Sequence, residues 1–205
     1  MNPHFFFNAL NTLQSYILSN EKTEAISYLS KFSKLTRSIL EMSEMDTIPI
    51  EEEIQTLKNY LDLEKGRFNG DFSYHIELDD SLNGLEYSIP TLLLQPFVEN
   101  AIKHGLLHKT GKKNLSIAFI NQDQFIKIIV DDDGIGRERS AELNNIKNAS
   151  HISFATQSLQ QRIELLNINK KDKITLTYTD KHNKQGTTVT LLIPKIQPDY
   201  ESDNY

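Results

Sequence analysis

Two stretches of the chain carry side chains that could do chemistry together. In Gln95-Pro96-Phe97-Val98-Glu99-Asn100-Ala101-Ile102-Lys103-His104-Gly105, helical spacing puts Leu94, Phe97, Val98, Ala101 and Ile102 on one arc. Glu99 and Lys103, and Asn100 and His104, pair one turn apart on the opposite face. That face has the parts of a magnesium–nucleotide site. An Asn oxygen can complete a largely hydrated Mg²⁺ shell whose other ligands are phosphates, and Lys103 can add a point charge for those phosphates. By itself, the same pattern also describes a solvated amphipathic helix.

The second stretch is Ile128-Ile129-Val130-Asp131-Asp132-Asp133-Gly134-Ile135-Gly136, where a buried-strand run of Ile and Val ends in three carboxylates and a Gly-x-Gly. Such an ending suits an acid at a pocket mouth, because glycine lets the backbone turn sharply and approach a flat ligand closely. A strand closing in an acidic turn is the other reading of an isolated Asp-Gly pair. A third candidate opens the chain: Asn2 is a suitable N-cap and Pro3 a suitable first helical residue for a helix carrying His4. On it, His4, Asn8, Asn11 and Ser15 fall on one face and Phe6, Ala9, Leu10, Leu13 and Ile17 on the other. An imidazole is a competent phosphoryl acceptor near neutral pH, since its ordinary pKa of about 6.5 leaves much of it deprotonated; a lone histidine can equally be a surface or capping residue.

The elements that must position these groups follow from patterning. Apolar residues at helical spacing mark a second helix over about Glu21 to Met42, with Ala25, Ile26, Leu29, Phe32, Leu35, Ile39 and Leu40 on its apolar face. A third helix is expected over about Ile50 to Phe68, opened by Glu51-Glu52-Glu53, whose charges complement the helix dipole. Long apolar stripes on so few helices call for a partner copy, so a homodimeric bundle is expected. From Asn69 the texture changes: Phe72 to Leu78 alternates, a helix spans about Pro90 to Leu107, and Leu115–Asn121 and Phe125–Asp131 form a hairpin. Residues 137–153 read as polar and irregular, Ala155 to Ile168 as a helix, and the strands at 174–178 and 189–193 as a final antiparallel pair. The fold class is therefore α+β: an N-terminal helical dimerisation region over 1–68, an α/β sandwich over 69–196 with helices on one sheet face, and a flexible polar tail over 197–205.

Composition narrows the function. The 205 residues, 38% hydrophobic and 24% charged, can bury a sizeable core. A net charge of −6 argues against a broad nucleic-acid footprint. Cysteine is absent, which excludes a disulfide framework and thiol chemistry. No apolar run approaches the roughly 18 residues of a membrane span, so a soluble intracellular polypeptide is expected.

Taken in order, these motifs resemble one family. Asn2-Pro3-His4-Phe5-Phe6-Phe7-Asn8 is similar to the Asn-Pro-His-Phe-Leu-Phe-Asn signature of LytS/YehU-type sensor histidine kinases. Gln95–Gly105 resembles their N box, Asp132-Asp133-Gly134-Ile135-Gly136 their first Gly box, and Gly186-Thr187 the Gly-Thr before their last strand, over residues 1–194. The resemblance implies a phosphoacceptor and dimerisation region followed by a Bergerat-type ATP-binding domain, with ATP and Mg²⁺ as cofactors. Carried over by position, His4 accepts the γ-phosphoryl group and Asn100 holds Mg²⁺, while Lys103 and His104 face the phosphates. Asp132 takes the adenine amino group, Gly134 and Gly136 make room for the base, and Thr187 supports the Asp132 end. Arg162 matches the arginine of the helix after the family's lid, and Asn8, one turn beyond His4, could position a water for phosphatase chemistry. The phosphoryl group then passes to an aspartate of a response regulator.

Two departures matter. Where the family's lid carries Gly-x-Gly-Leu, this chain has Ser153-Phe154-Ala155-Thr156, so a degenerate, non-catalytic nucleotide-binding or dimerisation scaffold is the alternative. The family's acceptor helix also extends well upstream of its histidine, and His4 is the fourth residue. The chain is thus expected to be the cytoplasmic part of a membrane-anchored sensor, meeting the membrane only through upstream segments.

Overall fold

A computed structural model describes residues 3–68, 70–145, 159–181 and 185–196. The chain begins with an antiparallel pair of helices, α1 (Pro3–Leu18) and α2 (Lys22–Met42), whose short connection turns through Asn20 at φ 59°. Then come β1 (Thr47–Pro49), α3 (Ile50–Lys65), β2 (Phe72–Leu78), β3 (Ser88–Pro90) and α4 (Gln95–Asn100), which continues without a break as a π-helical segment, Ala101–Leu106. Next are β4 (Lys113–Gln122), β5 (Phe125–Asp132), α5 (Arg137–Asn145), a helix over 159–166 (α6), β6 (Thr175–Asp180) and β7 (Thr187–Pro194). Together these elements form an α+β fold.

Five strands form one sheet in the order β2-β4-β5-β7-β6, and β1 and β3 make a separate antiparallel ribbon. The strands β4, β5 and β7 alternate buried with half-exposed residues, because one face lies under α4 and the π segment. A two-residue turn with Asp123 at φ 48° joins β4 and β5. In contrast to the expected run of antiparallel strands, β2 pairs with β4 in parallel. The connection between them carries β3 and the helix across the sheet, and such a crossover returns the chain in its starting direction.

Three other expectations are corrected. The helix expected from Pro90 begins only at Gln95, after the ribbon strand β3. Residues 137–145, read as irregular, are helical; α5 has almost no apolar periodicity to reveal it. The apolar face of α1 is turned: Phe5 and Ala9 are buried, whereas Phe7, Leu10 and Ile17 are exposed. On α2, likewise, Ala25, Tyr28, Leu35 and Ile39 are buried and Ile26, Leu29 and Leu40 are exposed. Both helices thus carry two apolar stripes, one facing the chain's own core and one facing outward. The Asn2 cap, the 153–156 segment and the 197–205 tail lie outside the described residues.

A single hydrophobic cluster runs from Phe5, Tyr28 and Leu35 through Leu57 and Leu61 into Ile117, Phe119, Ile128 and Leu191 of the sheet. Leu35 is fully buried and Leu40 is 64% exposed. Replacing Leu35 by Ala is expected to cost about 2–5 kcal/mol, and Leu40→Ala less than about 0.5 kcal/mol in the isolated chain. Urea denaturation at low protein concentration measures both.

Candidate functional site

Between the helical layer and the sheet lies a cavity of about 290 Å³. Its floor follows from strand register. Asp132, Thr187 and Asp180 sit side by side across β5, β7 and β6, and Val130, Val189 and Tyr178 form the next row. Paired residues of an antiparallel sheet share a face, so both rows lie on the face beneath the helix. Asn100 and His104 line the cavity from above, Gly136 from the turn after β5, and Arg137 and Ser140 from α5. Of the residues singled out by sequence, Asn100, His104, Asp132, Gly136 and Thr187 are brought together here.

Asp132 is the buried member of the three carboxylates, at 5% exposure. Strand alternation sends its neighbours the other way. Asp131 is held by Lys181 Nζ at 2.7 Å and the Thr188 hydroxyl at 2.5 Å. Asp133 accepts from the Asn114 backbone N–H at 2.8 Å and side-chain amide at 2.7 Å, and pairs with Lys109 at 2.7 Å. Asp132 Oδ1 instead accepts from the Gly134 N–H at 2.8 Å. Burial pushes its pKa up to about 6, against the Gly134 N–H and Lys181; the charges of Asp131 and Asp133 push the same way as burial.

The backbone around this carboxylate is packed to its limit. A Cβ on Gly105 would lie 2.8 Å from Asp132 Oδ1, and one on Gly134 would lie 2.5 Å from both Cα and C of Gly105. At Gly186, where φ is +91°, a Cβ would lie 2.2 Å from the Asp132 carbonyl oxygen. The Ile135 N–H donates to the Gly105 carbonyl at 3.2 Å, joining the end of β5 to the π segment. Gly134 therefore makes room for the helix backbone; Gly136, at φ 77°, borders the cavity, as does Gly105.

The polar face of the helix divides. Asn100 and His104 face the cavity, whereas Glu99 and Lys103 line a small cleft on the reverse side with Phe5, Asn8, Tyr60 and Glu64. Lys103 is thus set apart from the residues it was expected to join, because the helix is sandwiched between the sheet and α1/α3 and carries polar groups on both flanks. Its last turns are wide, as in the Leu107 N–H to Ile102 carbonyl bond of 2.9 Å, a geometry that recurs at functional sites. Burial, with the positive charges of Lys103 and His108, lowers the His104 pKa to about 4. Its imidazole is neutral at physiological pH.

The remaining expected residues lie elsewhere. His4 is in the first turn of α1, and Asn8 lines the reverse cleft. Arg162 donates to the carbonyls of Leu92, at 3.0 Å, and Thr91, away from the cavity lining. Among the lining residues not anticipated are Arg137, Ser140 and Tyr178. Arg137 makes a bidentate pair with Asp180 at 2.8 and 2.6 Å and sits 5.1 Å over the Tyr178 ring, and Ser140 joins it from α5. The alternation of β6 could have revealed Tyr178; α5 offered no comparable signal.

A mixed sheet covered by helices around such a cavity is the architecture of histidine kinase catalytic domains. The corresponding domain of a blue-light-activated histidine kinase from Erythrobacter litoralis superposes with a TM-score of 0.50 at 16% identity, covering 81% of this chain and 74% of that one. Residues 1–72 match the histidine kinase family model. The sensor protein LytS of Staphylococcus epidermidis strain RP62A is 31% identical over 199 residues, which is 95% of this chain and 32% of that protein. The sensor histidine kinase YpdA of Escherichia coli is 30% identical over 198 residues, with 95% and 33% covered. The chain belongs to the LytS-type sensor histidine kinase family and spans about a third of the length of these relatives.

Two outcomes test the site's construction. Gly134→Ala is expected to destabilise the chain by about 3 kcal/mol, since the new methyl would press on the Gly105 backbone and on the buried Asp132 carboxylate. Asp132, with a folded pKa of about 6 above its usual value of about 3.9, binds more protons folded than unfolded between those values. Stability therefore falls as pH rises through that window. In Asp132→Asn this loss is smaller, as urea denaturation at pH 4 and pH 7 will measure.

Proposed function

We propose that this chain is the catalytic part of a two-component sensor, an ATP-dependent histidine autokinase that phosphorylates His4 and passes the phosphoryl group to a response-regulator aspartate. The convergence of Asn100, His104, Asp132, Gly136 and Thr187 on one cavity carries this reading. A buried, partly desolvated carboxylate beside an apolar floor of Val130 and Val189 suits an adenine whose amino group donates to Asp132. His104, held neutral, can donate one hydrogen bond to a phosphate oxygen without titrating.

The donor set fits magnesium in one way. No group of three or more His, Asp or Glu side chains is gathered for a metal among the described residues, so the ion would come with the phosphates, and the Asn100 amide oxygen would complete its shell. When bound, it would neutralise charge on the phosphates. The chain's own part is orientation and shielding from water. At His4, an imidazole nitrogen forms the N–P bond as the bond from the γ-phosphorus to the β,γ-bridging oxygen breaks and ADP departs. The N–P bond then breaks as a carboxylate oxygen of the regulator takes the phosphoryl group.

The outward stripe of Phe7, Leu10 and Ile17 on α1, with Ile26, Leu29 and Leu40 on α2, suits a second copy of the chain. Because α1 packs behind the helix that bears Asn100, the partner's acceptor helix would supply the histidine, and transfer runs between copies. Among the described residues no helix is long and apolar enough to cross a membrane. The parts of the longer relatives that this chain does not span leave room for sensing and anchoring segments, which would place this portion in the cytoplasm.

Incubation with γ-labelled ATP and Mg²⁺ should give acid-labile label in the parent and none in His4→Gln or Asn100→Ala. A mixture of the two variants should regain label by transfer between copies. Nucleotide binding without label would favour a non-catalytic scaffold. Because Asp132 accepts best when ionised, nucleotide affinity should fall as pH drops below about 6; an affinity flat across that range would remove Asp132 from base recognition.

A further inference from the structure

The helix that carries Asn100 and His104 begins at a corner held by groups that phosphoryl transfer does not use. Residues 91–94 turn through Leu92 at φ 53°, a left-handed conformation unfavourable for any residue with a Cβ. From α6, Arg162 donates to the Leu92 carbonyl at 3.0 Å and to the Thr91 carbonyl. From α3, Glu53 Oε1 accepts the Leu94 N–H at 3.2 Å. The Thr91 N–H and hydroxyl donate to the Asp46 and Met45 carbonyls at 3.1 and 2.8 Å, tying the corner to the connection between α2 and β1.

Glu53 is the unusual member. It is 1% exposed, and its Oε2 is buried without a hydrogen-bond partner among the described residues. Leaving a buried carboxyl half-satisfied is costly, and a leucine there would fill a similar volume without that cost. The carboxyl's one bond reaches the start of the site helix, where negative charge is favoured.

We propose that Glu53 and Arg162 are positioning residues for the cavity: acting from α3 and α6, they hold the 91–94 corner and set the rotation at which the helix presents Asn100 and His104. The inference rests on reading the cavity as a nucleotide site. Neither residue touches the cavity, so the effect travels along the helix as a rigid body. Through α3 the corner is joined to the region that bears His4, and α6 runs on to Asn167, whose side chain bonds the Ile174 backbone just before β6. Burial pushes the Glu53 pKa up to about 7, against the Leu94 N–H and the Arg162 charge, which is the ionised group set against it. A pH profile therefore reads its contribution.

The test compares Glu53→Gln, Glu53→Ala, Arg162→Lys and Arg162→Ala with the parent. One readout is the affinity for a fluorescent ATP analogue with Mg²⁺ across neutral pH; the other is amide hydrogen exchange over Ala101–Leu106 without nucleotide. The alanine variants should bind about tenfold more weakly or worse and exchange faster over the π segment. Glu53→Gln, which keeps the acceptor for Leu94, should bind like the parent at neutral pH but lose the step near pH 7, retaining the one near 6. Alanine variants that match the parent in affinity and exchange overturn the proposal, as does a step near pH 7 surviving in Glu53→Gln. Should the alanine variants fail to fold, Glu53→Gln and Arg162→Lys decide it, and parent-like pH profile and exchange in both overturn it. If the parent itself binds no nucleotide, the nucleotide reading fails, and exchange in the variants alone decides whether the corner is held as proposed.

Discussion

A carboxylate buried against bare backbone is the constraint around which the domain is arranged. Asp132 faces inward at the end of β5, and the backbones of Gly105, Gly134 and Gly186 close around it at distances that leave no room for a Cβ. Three separate parts of the chain, the π segment, the turn after β5 and the start of β7, must therefore meet at one point. The sheet register delivers two of them: Asp132 lies opposite Thr187, so the residue before β7 falls against the Asp132 carbonyl. The third arrives because the Ile135 N–H finds the Gly105 carbonyl. Burial near a cavity wall costs the carboxylate solvation, and the Gly134 N–H returns only part of it.

Around that point, charge is sorted by strand alternation and helix face. The flanking Asp131 and Asp133 are neutralised by lysines on the outer side, so the excess negative charge of the triplet does not enter the cavity. Glu99 and Lys103 are turned to the α1/α3 side, where Glu64 pairs with Arg67. What is left lining the cavity is one amide, one neutral imidazole, one carboxylate and the hydroxyl-bearing side chains of Ser140, Tyr178 and Thr187. The Arg137 charge is spent on Asp180 and on the Tyr178 ring. Such a site is weakly charged for its polarity, a property suited to a ligand that brings its own phosphate and metal charges.

Much of this was legible because it rests on local covalent necessity. A strand running into Asp-x-Gly-x-Gly has few ways to continue, and the alternation of β4, β5 and β7 declares a sheet with one covered face. What was not legible depends on neighbours. Whether Lys103 shares a side with Asn100 depends on what packs against each flank of the helix, and a helical wheel assumes only one wet side. The α1 stripe was assigned to Phe6 and Leu10 because that helix has two apolar stripes, and only the position of α3 decides which is buried. The direction of β2 is set by a crossover, and α5 is a helix made by its place beside the cavity more than by its own pattern.

The parallel pairing of β2 with β4 also bears on the order in which the molecule assembles. The strands β4 and β5 are joined by a two-residue turn and can zip early, whereas β2 can take its edge only after the intervening chain, with β3 and the site helix, has been laid across the sheet. The entropic cost of closing so long a loop is met before its contacts form. That edge therefore closes across a long loop, as does the β5–β7 seam, whose partners lie still further apart in sequence. A chain emerging from the ribosome presents α1 and α2, with both apolar stripes bare, before α3, which covers one of them, has been made.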